Sequence, residues 1–467
     1  MADLTAYRAF LDDKKRGVLD AGWPCEPIEL GGHLAPFQQT ITAWAVRRGR
    51  AAIWADTGLG KTRMQCEWAR QVVERTGRGV LILAPLAVAE QTVREAASVG
   101  IEVAYAKDQT SATCPITITN YDRLHLFNAS QFAGVVLDES SILKAFSGTT
   151  KKTLVEMFAA TPYRLACTAT PAPNDIEELC NHADFLGVMK PAEMRSTFFI
   201  ADNRGSFMKY RLKGHAKDAF FGWLASWAIA CRTPADLEFD DTGYVLPALT
   251  IAPRFVPTAW APDGQMFATG LQGVTERATV RRETLEARVA EALALIRAEP
   301  DEAWLVWCGL NGEADAVTAA IPGAVNVQGS DPAEKKTEAL LSFAEGRQQV
   351  LVTKPSIAGL GLNLQSCARM VFVGLSDSYE SYYQCIRRCW RFGQQRPVDV
   401  HIVLADVERP IYDNVLDKER TARAITGGLV AAVAERNRAD LFAGTSRGDS
   451  YEPSLPLTLP SWLEANV

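Results

Sequence analysis

The stretch ADTGLGKT, residues 55–62, sets two glycines, a lysine and a hydroxyl at the spacing of a phosphate-binding loop, with Ala55 where a first glycine is usual. An apolar run precedes it and RMQCEWARQVV follows, which predicts a strand before the loop and a helix after it. Backbone N–H groups around Thr57, Gly58 and Gly60 can close on phosphate oxygens. Lys61 can reach the β- and γ-phosphates, and Thr62 can ligate Mg²⁺. The bland alternative, a glycine-rich turn ahead of a helix, is disfavoured by the strand–loop–helix context. Cleaving a phosphoanhydride also needs one carboxylate for the metal and one to orient water. The run VVLDESS (135–141) offers both, Asp138 for Mg²⁺ and Glu139 to polarise the attacking water, at the end of an apolar strand. One strand later, CTATPAPN (167–174) carries hydroxyls at Thr168 and Thr170, placed to link nucleotide state to movement.

Those loops need a scaffold, and the rest of the chain supplies one. Short apolar runs alternate with helical stretches, the pattern of a parallel sheet covered by helices. In the first half the expected strands are 51–55, 80–85, 116–119, 134–139 and 164–170; in the second they are 304–309, 349–355, 370–375 and 398–404. The expected fold is α/β, two RecA-like parallel-sheet domains in tandem with a helical insertion. The divisions are an N-terminal segment (1–30), a first domain (31–185), an insertion and linker (186–262), a second domain (263–425) and a C-terminal helix and tail (426–467). Within the linker, LPALTIAPRFVPTAWAP (246–262) reads as a proline-broken extended connector.

Bulk properties set the class. The 467 residues are 48% hydrophobic and 22% charged with a net charge of −6, an ordinary globular balance. An acidic chain of this kind binds nucleic acid only through a local basic groove. Ten cysteines without a repeating pair spacing read as reduced thiols of an intracellular protein. The first residues carry no apolar run of signal-peptide type, and the longest apolar run (79–89) is far short of the roughly 20 residues that span a bilayer. The expectation is a soluble, cytoplasmic protein that uses no membrane.

The loop, LDES, TATP and the arginine-rich QCIRRCWRFGQ (384–394) stand in the motif order of superfamily-two helicases and translocases. More narrowly, the chain resembles the Swi/Snf family of ATP-dependent DNA translocases over roughly residues 31–425. LAPFQQTI (34–41) is similar to that family's adenine-reading motif, which puts Gln38 on the base. LAPLAVAEQ and ITNYD (118–122) are similar to its strand-contacting motifs, and KPSIAGLGLNLQSC (354–367) to its Gly-Leu-Gly-Leu-Asn-Leu loop, which puts Gly361 at the nucleotide. The chain departs from the pattern in four places. Ala169 replaces a glycine, Ser140-Ser141 replace Ala-His or Gly-His after the acidic pair, and Arg387 and Trp390 replace Asp and His in the last motif. No chromatin-reading module is visible, so nucleosome remodelling is not implied.

The resemblance implies ATP and Mg²⁺ as cofactors and a cleft between two domains as the site of hydrolysis. On a helix, Gln384, Arg388 and Arg391 fall within about 60° of one another. The two arginines would complete the ATP site from the second domain when the lobes close, in the manner of arginine fingers. Nucleic acid would lie across both domains opposite that cleft, with Thr119, Asn120, Thr353 and Ser356 as candidate phosphate contacts and the basic run 209–217 as an electrostatic one. Cys385 and Cys389, at i and i+4, lack a second ligand pair and are expected to be packing. The leading expectation is a monomeric motor on double-stranded DNA, of a compact kind suited to a phage-infected or bacterial cell. A strand-separating helicase on single-stranded DNA or RNA, and an ATP-dependent switch that does not translocate, fit the same residues.

Overall fold

The protein is described here by a computed structural model over residues 21–144, 148–173, 175–202, 209–258, 274–360 and 363–442. Strands β1 (Arg50–Ala55), β2 (Gly79–Ala84), β3 (Ala104–Tyr105), β4 (Ile116–Asn120), β5 (Phe132–Asp138) and β6 (Tyr163–Cys167) are followed by an antiparallel hairpin, β7 (Phe199–Asp202) with β8 (Lys209–Leu212), and then by β9 (Ala228–Cys231). All except the hairpin join one parallel sheet in the order β3-β4-β2-β5-β6-β1-β9. A second parallel sheet holds β10 (Leu249–Val256), β11 (Trp304–Cys308), β12 (Val325–Val327), β13 (Val350–Thr353), β14 (Arg369–Val373) and β15 (Val398–Ala405), in the order β10-β15-β14-β11-β13-β12. These are two RecA-like units in tandem, called here the first and second lobes.

Apart from the edge strands β3, β10 and β12, each sheet is buried on both faces, which is why its strands read as continuous apolar runs. Side chains still alternate between the two faces. In β1, Ala51, Ile53 and Ala55 enter one apolar core while Ala52 and Trp54 enter the other. In β11, Leu305 and Trp307 oppose Trp304, Val306 and Cys308 in the same way.

The segment 186–262 is not simply a helical insertion: it supplies the hairpin, β9 to the first sheet and β10 to the second. Pro253 lies inside β10, and a proline is tolerated there because β10 is an edge strand with one unpaired side. The four-residue β9 is buried throughout and too short for its periodicity to distinguish strand from helix.

Among the described residues the chain passes from one lobe to the other twice. The first passage lies between Tyr244, packed on the first lobe, and β10. The second is made by a helix, Arg409–Phe442, that runs without a break across residue 425. Its Val415 and Ala422 belong to the second lobe's core, whereas Leu429 and Val430 belong to the first lobe's. The same helix is tied to the first lobe again by Arg438, which pairs with Glu238 at 2.7 Å. Gly427 and Gly428 follow the crossing, and each weakens a helix by about 1 kcal/mol relative to alanine. Pro247 and Leu249 of the first passage and Glu419 and Arg423 of the second line one cavity of about 460 Å³ with Trp390.

Candidate active site

The phosphate loop leaves the carboxyl end of β1, where ligands gather in open α/β sheets, and delivers the helix Lys61–Thr76 with its N-terminus toward the loop. Two glycines are required by the geometry. Gly60 has φ 78°, and a Cβ there would lie 2.2 Å from Gln38 Nε2; Gly58 has φ 93°, and its Cβ would come within 3.0 Å of Phe392. Lys61 Nζ donates to the carbonyls of Ala55 (2.8 Å) and Asp56 (3.2 Å), curled over the loop it belongs to. Thr62 is half-buried on the first turn. Gln38 is buried, donates to Leu59 O at 2.9 Å and accepts from Ala35 N at 2.9 Å, so it braces the loop through main chain.

Asp138 ends β5, and Glu139 follows it in the left-handed region at φ 61°. That conformation costs a non-glycine residue about 1–3 kcal/mol and persists only where the surroundings impose it. Here they do. Thr168 Oγ1 donates to Glu139 Oε1 at 2.7 Å, Ser141 Oγ lies 3.1 Å from the same oxygen, and Tyr121 OH donates to Asp138 O at 2.7 Å. Gln65 Nε2 holds Asp138 Oδ1 at 2.9 Å. Thr170 N donates to Thr168 Oγ1 at 3.0 Å, so the two hydroxyl residues of the third loop are joined to each other and, through Thr168, to Glu139.

Burial raises the pKa of both acids. For Asp138 the Gln65 hydrogen bond and the Lys61 charge oppose the rise; for Glu139 the Thr168 hydrogen bond and Lys61 oppose it, while Asp138 and Glu380 add to it. If Glu139 must be ionised to activate water, turnover falls as pH drops through its raised pKa, above the ordinary glutamate value of about 4.3. Thr168→Val removes a bond to the charged form and is expected to move this acid limb of kcat to higher pH. Glu380→Gln removes a like charge and is expected to move it lower. A kcat–pH profile of both variants checks the sign, and shifts in the same direction would refute this account.

The second lobe faces this site with the helix Tyr379–Cys389, capped by the Ser378 side chain. Gln384 and Arg388 lie on it. Arg391 does not: the helix stops at Cys389, and Arg391 sits in the following turn, its N–H bonded to Cys389 O at 3.1 Å. The single helical face drawn from the sequence therefore covers Gln384 and Arg388 only. Arg388 and Arg391 are half-buried, and the Nε atom of each is buried without a hydrogen-bond partner among the described residues. Burial lowers the pKa of Arg388, opposed by Cys385 and by Glu139, whose charge it feels across the cleft. Arg391 is pushed down to about 10 by burial and by the neighbouring Arg388 and Arg387. A cluster of guanidinium groups so placed calls for an anion.

Several contacts at the site had no signal in local sequence. Arg387 Nη2 donates to Thr57 O at 2.6 Å and pairs with Asp56 at 3.1 Å, and Tyr383 OH donates to Asp56 Oδ1 at 2.7 Å. Ser141 Oγ reaches Glu380 Oε1 at 2.8 Å, and Lys144 pairs with Glu380. Tyr244 and Phe392 pack with ring centroids 4.7 Å apart beside the loop, and Phe37 stands edge-on to Tyr244 at 5.3 Å.

Gly361 lies outside the described residues. Of the four residues expected to touch nucleic acid, only Ser356 is exposed. Thr119 Oγ1 and Asn120 Oδ1 are buried without partners among the described residues, and Thr353 Oγ1 donates inward to Val327 O at 3.2 Å. Thr119, near the end of β4, and Thr353, the last residue of β13, are both buried in their lobes. Cys385 and Cys389 are packed in the second lobe's apolar core, and the described residues hold no cluster of three or more metal-ligating side chains. Among the described residues no helix is long and apolar enough to cross a membrane.

The family model "DEAD/DEAH box helicase" matches residues 35–179, and "Helicase conserved C-terminal domain" matches residues 290–393, together just over half of the chain. The chain belongs to the superfamily-two helicases, ATP-hydrolysing enzymes. No curated protein matches it. Among solved structures it is similar to the SWI2/SNF2 ATPase core of Sulfolobus solfataricus in complex with dsDNA, at 17% identity and a TM-score of 0.41, covering 89% of this chain and 98% of that one.

Proposed function

We propose that this enzyme is a motor of the Swi/Snf-like kind, which hydrolyses ATP between its lobes and translocates on double-stranded DNA, remodelling it or displacing bound partners. The observation that carries the reading is the composite site: Arg388 of the second lobe feels the charge of Glu139 of the first, Phe392, next to Arg391, lies against Gly58 of the phosphate loop, and the Nε atoms of Arg388 and Arg391 have no hydrogen-bond partner among the described residues. Hydrolysis then requires both lobes, so closure and turnover are linked. The narrower choice of duplex DNA rests on the order of motifs, from PFQ at 36–38 to RRCWRFGQ at 387–394.

In this reading Thr57, Gly58, Gly60 and Lys61 hold the β- and γ-phosphates, and Gln38 orders the base-side wall of the loop. Gln384 approaches the nucleotide from the second lobe. Thr62 and Asp138 supply two oxygens, which suits Mg²⁺, a cation that keeps several waters and takes its remaining ligands from substrate phosphates. When bound, the metal would neutralise phosphate charge. Glu139 draws the proton from the attacking water, with Thr168 holding the carboxylate in place. Arg388 and Arg391 stabilise the charge that builds on the transferred phosphoryl group.

The test is ATP hydrolysis without polymer and with single-stranded DNA, duplex DNA or RNA, alongside displacement of a triplex-forming strand from duplex DNA. Duplex DNA is expected to raise kcat at least about tenfold, since each tenfold reflects only about 1.4 kcal/mol of barrier, and triplex displacement is expected to need ATP. Selective stimulation by RNA overturns the DNA assignment, and strand separation of a fork points to an unwinding helicase. A rate indifferent to every polymer identifies a switch that hydrolyses ATP without moving.

A further inference from the structure

Two of the places where this chain departs from the Swi/Snf pattern, Ser141 and Arg387, turn out to make contacts between the lobes. On the second-lobe side those contacts come from one helical stripe. Glu380, Tyr383 and Arg387 are spaced i, i+3 and i+7, within about 60° on the helix Tyr379–Cys389. Glu380 meets Ser141 at 2.8 Å and pairs with Lys144; Tyr383 meets Asp56 at 2.7 Å; Arg387 meets Thr57 O at 2.6 Å and Asp56 at 3.1 Å. Gln384 and Arg388 occupy the adjoining stripe.

We infer that Glu380, Tyr383 and Arg387 are positioning residues that seat this helix on the first lobe and so hold Arg388 and Arg391 at the mouth of the phosphate loop; the inference rests on the role proposed for those two arginines.

The chemistry of Arg387 fits this use. It is 4% exposed, and its guanidinium carbon lies 5.7 Å from the ring centre of Tyr383 and 5.1 Å from that of Trp390, so two aromatic rings limit where it can go. The other departure in this motif, Trp390, is itself anchored: Nε1 donates to Pro247 O at 2.8 Å. Asp56 belongs to the phosphate loop and accepts the loop's own Thr57 N–H at 2.6 Å. An unpaired carboxylate there would repel a polyphosphate. Arg387 cancels it from the opposite lobe, so the loop is electrostatically complete only when the lobes meet.

Steady-state ATP hydrolysis and equilibrium binding of a fluorescent ATP analogue, measured on full-length Arg387→Ala, Asp56→Asn and the double variant, test the inference. Arg387→Ala is expected to lower kcat at least tenfold, because it misplaces groups that act in the transition state, and to raise KM severalfold, because the Asp56 carboxylate is left unpaired beside the phosphates. The double variant is expected to turn over no more slowly than Arg387→Ala, since both changes break one contact. Multiplying effects, a rise in KM alone, or a kcat within twofold of the parent would each overturn it. If Arg387→Ala does not fold, Tyr383→Phe deletes only the hydroxyl. It should lower kcat about threefold with no further loss beside Asp56→Asn, and an unchanged kcat would then overturn the inference. Arg388→Ala separates the two readings. Loss of turnover there with a normal Arg387→Ala sinks the seating role alone, whereas normal turnover in Arg388→Ala sinks the assignment of the arginines.

Discussion

Glu139→Gln is expected to bind ATP as the parent chain does and to hydrolyse it about 10²–10⁴-fold more slowly, the range for loss of a positioned general base. The substitution isolates charge from shape. Glutamine keeps an Oε1 that can accept from Thr168 and Ser141, so the loop can hold its left-handed turn at residue 139. What disappears is the carboxylate that takes a proton from water. Asp138, still braced by Gln65, is untouched. Single-turnover hydrolysis with equilibrium nucleotide binding reads the two effects separately. A rate within about tenfold of the parent would remove Glu139 from the chemistry and leave its strained backbone without a purpose.

Arg391→Ala is expected to cost about 10³-fold or more in kcat, as arginine fingers do, while nucleotide affinity falls far less. Arg391 lies beside two other guanidinium groups and has an Nε without a hydrogen-bond partner among the described residues, an arrangement unfavourable until an anion arrives. Removing it should relieve repulsion, so the variant is expected to melt no lower than the parent chain. Loss of turnover with undiminished thermal stability is the signature of a group held for the reaction. Normal turnover would show that the transition-state charge is met elsewhere, with Arg388 the first alternative. A lowered melting temperature accompanying lost turnover would mean that Arg391 is structural.

What could be read in advance was whatever depends on neighbours in sequence. The phosphate loop shows because its lysine and glycines must sit within one turn of each other, and the acidic pair shows because an apolar strand ends on it. The parallel sheets show because strands buried on both faces are apolar along their length. Contacts across the cleft leave no such trace. Arg387 and Thr57 are 330 positions apart, and Ser141 and Glu380 are 239 apart, so nothing in either local pattern marks the partner. Helical spacing placed Arg391 on a face that ends before reaching it. Prolines in the linker suggested a connector where an edge strand forms, because the pairing that tolerates Pro253 is a property of the sheet. Polar residue type suggested phosphate contacts at Thr119 and Thr353, but residue type carries no sign of burial, and both lie in strands covered on both faces.

The two passages of chain between the lobes run side by side past one cavity, with Trp390 on its wall. Two bodies joined at adjacent points swing like a door on its pins, about the line through those points. Distance from that line then sets how far each part travels. In such a swing Arg391, next to Trp390, would travel less than the outer rims of the lobes. A nucleotide drawing its arginines in by a small step would be read out as a large stroke at the edges, and Gly427-Gly428, poor helix formers, lie on the longer pin.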